Sequence, residues 1–342
     1  MREKFHGLKM LAVGEEAAME EAGMFPTKIL LAVDGSEEAR RAARLAMTLA
    51  EGLDSELHLV HAGPMPSVYA YPESVIYNTD LQEEVHEAAR RTAREKLAAE
   101  ADAVGVSGKA AGTHAPVGRP DAEIVRVAEE IRAGLIVVGS RGLGPIRRAV
   151  MGSVSGSVVH HAHCSVLVVR DGGGAGAGLG GPIVLAVDGS EESKLASRAA
   201  AEVSASSGSP VHVIYVMPAE AKLYGHHSYS EDVKRSLLEE AKAVARKFLD
   251  EQAEGVRSAG GTVVQTYLGT GRPDEEIVEL AEEVGAGMVV IGSRGLGGIR
   301  RALVGSVSDS VVRHAHCPVL VVRRTDYDEG APAREAEETA RS

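Results

Sequence analysis

Glycine and serine recur at a fixed spacing in two stretches of this chain, each between an apolar run and a helix-like segment. The pattern G-x2-G-x9-G-S runs through Gly139, Gly142, Gly152 and Ser153, and again through Gly292, Gly295, Gly305 and Ser306. Glycines at a strand end let a ligand approach backbone N–H groups closely. A helix that begins after such a loop offers free N–H groups and its positive dipole end to an anion. The spacing predicts a site that holds a polyphosphate from two sides.

This pattern differs from the two commonest phosphate-binding loops. It has no lysine at the position that G-x-x-x-x-G-K-[ST] requires. It also follows the fourth apolar run of each half, whereas the G-x-G-x-x-G dinucleotide turn follows the first strand. A surface loop whose glycines only make turns is the alternative, and the repetition of the pattern in the same context favours phosphate binding.

A short acidic loop follows the first apolar run of each half, as V-D-G-S-E-E at 33–38 and 187–192. The serines suit a helix N-cap, and the glutamates suit the positive end of a helix dipole. Ligands of parallel α/β sheets bind beyond the carboxyl ends of the strands. Asp34 and Asp188 are therefore predicted to face a ligand or its metal ion.

Both loops occur twice because the chain is a duplicated domain. Residues 135–170 match residues 288–323 at 27 of 36 positions without a gap. Apolar runs that predict buried parallel strands occupy 29–33, 57–62, 135–138 and 166–169, and in the second half 183–187, 211–216, 288–291 and 319–322. A further strand is clear at 262–268 and weak near 109–114. Helical patterns alternate with these runs, which predicts a parallel sheet covered by helices.

Composition indicates where the segments of the chain begin and end, and which classes of partner are disfavoured. We expect an N-terminal extension (1–25), two domains (26–170 and 182–324), a glycine-rich linker (171–181) and an acidic tail (325–342). The net charge of −12 argues against nucleic acid as a partner. No apolar run suggests a membrane span, and two cysteines suggest neither a disulfide framework nor a zinc pattern, so we expect a cytoplasmic protein.

The combined motifs resemble those of the universal stress protein family in its tandem, ATP-binding form. They are V-D-G-S-E-E after the first strand, G-x2-G-x9-G-S after the fourth, and H-A-H-C-x-V-L-V-V-R at the end of each domain. The resemblance implies an α/β fold of two tandem Rossmann-like (adenine nucleotide alpha hydrolase-like) domains. Each would be a five-stranded parallel sheet of order 3-2-1-4-5 with helices on both faces.

The resemblance also implies the roles of individual residues. Asp34 and Asp188 would lie beside the nucleotide and its Mg²⁺, and Ala62 and Val216 would present backbone to the adenine. The residues implied to line the phosphates and ribose are Gly139, Arg141, Gly142, Gly152, Ser153 and Val154, and in the second half Gly292, Arg294, Gly295, Gly305, Ser306 and Val307. Ala62 precedes Gly-Pro whereas Val216 precedes Met-Pro, so we expect the two adenine pockets to differ.

Two further groups of residues have a structural and a chemical interpretation. The H-x-H-C segments at 161–164 and 314–317 have metal-binding residue types, but their place between a helix and a strand favours packing and capping. The pairs Arg147-Arg148 and Arg300-Arg301 lie inside the x9 stretch. They either screen phosphate charge or belong to a solvated surface.

These patterns indicate an ATP-binding regulatory stress-response protein with up to two sites for ATP or another adenine nucleotide. We expect little or no hydrolysis, because no paired base and nucleophile accompanies the loops. The alternatives are a slow Mg²⁺-dependent ATPase or nucleotide-transferring enzyme of the same fold, and a nucleotide-free scaffold. The resemblance implies that the domains pair through their fifth strands and that nucleotide occupancy sets the binding of an unidentified protein partner. We also expect whole chains to form homodimers.

Overall fold

The computed structural model describes residues 28–65, 79–142, 151–170, 180–218, 230–295 and 304–324. The first half contains β1 (Lys28–Ala32), α1 (Glu37–Gly52), β2 (Glu56–Val60), α2 (Thr79–Ala103), β3 (Gly112–His114), α3 (Pro120–Glu130), β4 (Leu135–Gly139), α4 (Ser153–His161) and β5 (Ser165–Val169). The second half contains β6 (Ile183–Ala186), α5 (Glu191–Ser207), β7 (Val211–Met217), α6 (Glu231–Ser258), β8 (Val263–Thr270), α7 (Pro273–Glu283), β9 (Met288–Gly292), α8 (Ser306–His314) and β10 (Val319–Val322).

The ten strands form one sheet in the order β3-β2-β1-β4-β5-β10-β9-β6-β7-β8. Within each half the strands are parallel and follow the order 3-2-1-4-5, which confirms the predicted fold. The halves meet where β5 and β10 pair antiparallel, with Leu167 opposite Leu320. The fifth strands therefore pair within the chain, as expected.

Helices cover both faces of this sheet, and alternate strand residues supply two separate cores. Ile29 and Leu31 belong to the core that contains residues of α1, α2, α5 and α6. Leu30, between them, belongs to the core beneath α3, α4, α7 and α8. Strands that are buried on both faces read as continuous apolar runs, which is why the sequence located them well. No helix in the described part of the chain has the length and apolar character needed to span a membrane.

The repeated motif G-R-P-D lies at the start of α3 and again at the start of α7. It connects α3 to α4 and α7 to α8. Pro120 begins α3, where its missing N–H is not needed. The Asp121 carboxylate accepts a hydrogen bond from Ser157 Oγ of α4 at 2.7 Å and another from Arg119 at 2.8 Å. The Ser157 hydrogen bond is the main reason why the pKa of Asp121 is lowered. Asp274 accepts the same bond from Ser310 at 2.7 Å.

The strands β2 and β3 begin or end two or more residues inside their predicted extent. β2 ends at Val60, two residues before the end of the apolar run, and Gly63 instead makes an isolated bridge to Val117. β3 is only three residues long. It contains glycine, which weakens strands, and it occupies an edge where only one neighbour can pair with it.

Candidate functional site

The acidic loop after β1 turns sharply and begins α1. Gly35 has φ +80°, a left-handed conformation that favours glycine. Asp34 Oδ1 accepts a hydrogen bond from the Ser36 backbone N–H at 3.0 Å, and Ser36 Oγ caps α1 by accepting from Ala39 N at 3.1 Å. This arrangement fixes the aspartate at the carboxyl edge of the sheet.

The second half repeats this turn with two additional hydrogen bonds, one of which is the donation from Asp188 N to Ser193 Oγ at 3.1 Å. Gly189 has φ +84°, and Asp188 Oδ1 accepts from Ser190 N at 3.0 Å. The Ser190 hydroxyl also donates to Asp188 Oδ1 at 2.6 Å. The predicted N-cap role of both serines is confirmed, since Ser190 Oγ accepts from Ser193 N at 3.2 Å.

The acidic loop contacts the glycine-rich loop in both halves. Ser36 Oγ lies 3.4 Å from the carbonyl of Arg141, and Ser190 Oγ lies 3.3 Å from the carbonyl of Arg294. A Cβ atom added at Gly142 would overlap Asp34 Oδ2, and one added at Gly295 would overlap Asp188 Oδ2. Glycine is therefore needed here to admit the aspartate, a reason that the sequence pattern did not supply.

The first glycine of the motif also has a packing role. A Cβ at Gly139 would lie 2.9 Å from Glu38 Cβ, and a Cβ at Gly292 would lie 2.8 Å from the Glu192 carbonyl carbon. Both distances are too short for carbon atoms, so glycine lets the end of the fourth strand touch the first turn of α1 or α5. The predicted ligand access at these two glycines stays a prediction.

Backbone hydrogen bonds close the base of the glycine-rich loop. The Gly152 N–H donates to the carbonyl of Ser140 at 2.8 Å, and the Gly305 N–H donates to that of Ser293 at 2.7 Å. The N–H groups of the two motif glycines are therefore already used. Their role is to place the amides that follow them.

Two serines that were not predicted hold this loop against its helix. Ser155 Oγ donates to the carbonyl of Ser140 at 2.9 Å, and Ser308 Oγ donates to that of Gly292 at 2.7 Å. Both side chains are buried. The sequence does contain a signal for them, because the motif continues as G-S-V-S in both halves.

The helices α4 and α8 begin without a side-chain cap from their N-cap residues. Gly152 (φ −70°, ψ 154°) and Gly305 (φ −76°, ψ 156°) occupy the N-cap positions, and neither has a side chain to accept a hydrogen bond. The first N–H groups of a helix have no partner within the helix. Each half therefore has a helix that begins where the spacing predicted, and the binding of an anion there stays a prediction.

In the second half these elements surround a cavity of about 470 Å³. All eight predicted residues of that half line it: Asp188, Val216, Gly292, Arg294, Gly295, Gly305, Ser306 and Val307. Apolar side chains such as Ile214, Ile277 and Ile291 form part of its lining. The start of α8, one carboxylate and one guanidinium also line it.

The charged groups of the two halves are arranged differently. The Arg294 guanidinium makes an ion pair with Glu192 of α5, with Nη2 and Oε1 3.0 Å apart. Arg141, its counterpart, is exposed. The strand ends differ as well, since β7 continues to Met217 whereas β2 stops at Val60. Ala62 thus lies in a loop, while Val216 lies in a paired strand.

The first half has an ionisable pair where the second half has an aromatic pair. Val60 and Ile214 occupy equivalent strand positions, so His61 corresponds to Tyr215. The Tyr215 and Phe248 rings meet edge to face, with centroids 5.1 Å apart beneath the Asp188-Gly189 loop.

In the first half, Glu100 of α2 takes the place of the aromatic ring. Its carboxylate accepts a hydrogen bond from the Gly35 N–H, and burial raises its pKa, although His61 and this bond act in the opposite direction. His61 is 8% exposed, and its Nδ1 lies 3.0 Å from the Val33 carbonyl.

Glu100→Gln is expected to raise the melting temperature by about 1–2 °C at pH 7 to 8. Because the folded-state pKa of Glu100 is raised, ionised Glu100 reduces stability as the pH rises through that pKa. Glutamine keeps an acceptor for the Gly35 N–H without the charge. Thermal unfolding of both proteins between pH 4 and pH 8 should show a difference that disappears toward pH 4. A difference of the same size at every pH would refute this explanation.

The H-x-H-C segments have a structural explanation. Cys164 and Cys317 are buried, and burial raises the pKa of their thiols to about 12 and about 11. His163 pairs with Glu129 at 3.2 Å, and His316 pairs with Glu282 at 2.7 Å. Among the described residues, no group of three or more metal-ligating side chains comes together. The predicted arginine pairs at 147–148 and 300–301 lie outside the described residues.

Comparison with known proteins identifies the family. The model of the universal stress protein family matches residues 26–170 and 181–323. A universal stress protein of Mycolicibacterium smegmatis is 29% identical over 301 residues, which cover 86% of this chain and 96% of that protein. A universal stress protein of Mycobacterium tuberculosis strain H37Rv is 27% identical over 311 residues, covering 87% and 97%.

A solved structure supports the fold. The crystal structure of a universal stress protein from Archaeoglobus fulgidus superposes with a TM-score of 0.60 at 21% identity, covering 89% of this chain and 99% of that one. Since the two family matches together span most of the sequence, this chain belongs to the universal stress protein family.

Proposed function

We propose that this protein is a regulatory stress-response protein that binds ATP or a related adenine nucleotide, with up to two sites per chain. The second-half cavity is the observation that carries the proposal. Its volume of about 470 Å³ lies within the usual range for small-molecule sites. Apolar side chains that suit a base and a helix N-terminus that suits phosphates line the same cavity.

The lining of this cavity suits the parts of an adenine nucleotide. The adenine would pack among the apolar side chains, with the backbone at Val216 available for its polar edge. The phosphates would accept hydrogen bonds from the amides at the start of α8, where the helix dipole favours negative charge. In the first half, the backbone after Val60 and the start of α4 would take these roles.

The residues present also fit a magnesium ion that arrives with the nucleotide. Mg²⁺ is usually held by one or two carboxylates together with substrate phosphates. Asp188 is the one carboxylate among the residues that line the cavity. It would hold the ion next to the phosphates, and Asp34 would do so in the first half. When bound, Mg²⁺ would neutralise part of the phosphate charge.

We infer slow hydrolysis at most. Among the described residues that line the cavity, the ionisable side chains are Asp188 and Arg294. Asp188 is held by the hydrogen bonds of its own turn, and Arg294 is paired with Glu192. The Ser190 hydroxyl donates to Asp188, but its oxygen already accepts a hydrogen bond from Ser193 N as the N-cap of α5. This serine is therefore committed to the helix cap, whereas general base catalysis requires a nucleophile that is placed against the substrate. Binding and release of nucleotide would then be the signal that a partner reads.

Titration with ATP and Mg²⁺ under equilibrium dialysis tests this function. We expect one to two nucleotides per chain, and a phosphate-release assay should give turnover far below the ~1 s⁻¹ of ordinary enzymes. Fast release of phosphate would favour the ATPase alternative. No binding of ATP, ADP or AMP at millimolar concentration would favour the nucleotide-free scaffold and overturn the proposal.

Homodimerisation of the whole chain is a separate proposal, for which the strand order gives the geometry. β3 and β8 are the outer strands of the sheet, and β8 is eight residues long with Val264 54% exposed. Unpaired edge strands are able to pair with another chain. Light scattering of the purified protein should give the mass of a dimer, whereas a monomer mass at 100 μM would contradict this.

A further inference from the structure

The last residue of each domain's V-L-V-V-R segment reaches into the other domain. Arg170 follows β5, yet its guanidinium hydrogen-bonds the end of α8 in the second half. Nη1 donates to the carbonyls of Arg313 and Ala315 at 2.9 Å each, and Nη2 donates to the carbonyl of Val312. These acceptors belong to the last turn of the helix, where carbonyls have no intrahelical partner.

Arg323 makes the reciprocal contact from the second half. It follows β10, and its Nη2 donates to the carbonyl of Val159 at 2.5 Å, while Nη1 donates to that of Ala162, at the end of α4. Only 7% of Arg323 is exposed. Burial lowers its pKa to about 10, so the side chain still carries its charge at neutral pH.

The helices that receive these arginines are the two that begin at the nucleotide sites. α4 and α8 have nine residues each, so each is only about 13 Å long. The N-terminus of such a helix is the proposed phosphate site, and its C-terminus is held by the arginine of the other half. A cation at the C-terminus and a phosphate at the N-terminus both complement the helix dipole.

Backbone hydrogen bonds connect each arginine to the glycine-rich loop of its own half. The Ser140 N–H donates to the carbonyl of Val169 at 2.7 Å, next to Arg170 in the chain. The Ser293 N–H donates to the carbonyl of Val322 at 2.8 Å, next to Arg323. A continuous set of contacts therefore runs from one glycine-rich loop, through the strand end and its arginine, to the phosphate-binding helix of the other half.

We propose that Arg170 positions the phosphate-binding helix of the second-half site and that Arg323 positions that of the first-half site, so that each domain completes the other's nucleotide site. That the ligand is a nucleotide rests on the proposed function. The contacts of each arginine with the helix of the other half do not depend on it. The two sites are then linked by the seam between the domains, which is the antiparallel pair of β5 and β10. Neither domain has its complete site without its neighbour.

A crossed mutational experiment tests the proposal in the full chain. Gly152→Asp blocks the first-half site and leaves the second to be measured alone, and Gly305→Asp does the reverse. In the Gly152→Asp background, Arg170→Gln should weaken ATP binding at least tenfold, and by at least five times more than Arg323→Gln does. In the Gly305→Asp background the order of the two arginines should reverse.

Conservative and matched control variants separate positioning from general damage. Arg170→Lys keeps a cation with three N–H donors. In the Gly152→Asp background, its ATP affinity should therefore stay within about threefold of that measured with Arg170. Arg257→Gln removes an exposed arginine of α6 that pairs with Glu254, and it should leave both affinities as they were. Equal losses of ATP affinity at both sites would overturn the proposal. A larger loss at the site in the same half as the substituted arginine would overturn it as well.

Hydrogen exchange gives a readout that needs no nucleotide. In Arg170→Gln, the hydrogen-bonded amides of α8 from Asp309 onward should exchange at least fivefold faster than in the wild type, while the hydrogen-bonded amides of α4 should change less. Arg323→Gln should show the opposite. If the wild type binds no nucleotide but this crossed exchange appears, the proposed function fails and the positioning role stands. If the exchange rates of these amides are unchanged in both variants, the positioning role is refuted. This holds even if one variant unfolds at a lower temperature than the wild type.

Discussion

Gly305→Asp is expected to abolish nucleotide binding at the second-half site without lowering the thermal stability of the protein. Gly305 has φ −76° and ψ 156°, close to the φ −71° and ψ 159° of Ser36, which caps α1. Aspartate is among the best N-cap residues. Its carboxylate would accept hydrogen bonds from the free amides of α8 and place a negative charge where we expect the phosphates.

The expected loss of ATP affinity is at least ~100-fold, or about 2.7 kcal/mol, with a melting temperature equal to the wild type or ~1–3 °C higher. An added Cβ at Gly305 would lie 3.5 Å from the nearest atom, the Ser293 carbonyl oxygen, which is an ordinary contact. Calorimetric titration and thermal unfolding measure the two effects.

Gly305→Ala is the matched control, because it adds the same Cβ without the carboxylate. We expect its affinity to stay within about threefold of the wild type. Gly152→Asp should block the first-half site, but without a gain in stability, since its Cβ would lie only 3.2 Å from the Ser140 carbonyl oxygen. If Gly305→Asp still binds two nucleotides per chain with unchanged affinity, the phosphate site has been assigned wrongly.

Leu320→Asp is expected to destabilise the whole protein by at least ~4 kcal/mol or to prevent folding. Leu320 lies opposite Leu167 at the seam between the halves, and both residues are fully buried. An aspartate there would be an unpaired charge in an apolar core that both halves share. Urea unfolding followed by circular dichroism measures the loss.

Val244→Asp is the control for this prediction, since Val244 lies on the helix α6 and is 66% exposed. Its expected effect is within about 0.5 kcal/mol, as for other surface substitutions. A Leu320→Asp protein that unfolds in one transition with nearly wild-type stability would mean that β5 and β10 are not paired in solution.

The sequence predicted the fold well because its signals are local and occur twice. Fully buried strands read as apolar runs, and serine N-caps such as Ser36 mark helix starts. The strand order 3-2-1-4-5 came from the family resemblance, because hydrophobic periodicity locates strands without ordering them. The weak third strand was predicted poorly for a physical reason: Gly112–His114 is a short edge strand, so little burial shapes its composition.

The candidate site was only partly predictable, because its remaining contacts depend on tertiary structure. The glycine motif located the helix N-termini, but it did not show that Gly142 admits the Asp34 carboxylate. The sequence shows that His61 stands in the first half where Tyr215 stands in the second. It does not show that Glu100 of α2 packs near His61. Arg170 and its acceptors are more than 140 residues apart, and no local pattern predicts such a contact.

A crystal structure of the full chain grown with excess ATP and Mg²⁺ tests the proposed phosphate site most directly. We expect a triphosphate against the backbone amides at the start of α8, with the adenine among the apolar side chains beside Val216. The first-half site should hold its phosphates at the start of α4. A nucleotide bound elsewhere, or both helix starts without phosphate at saturating ATP, would contradict this account.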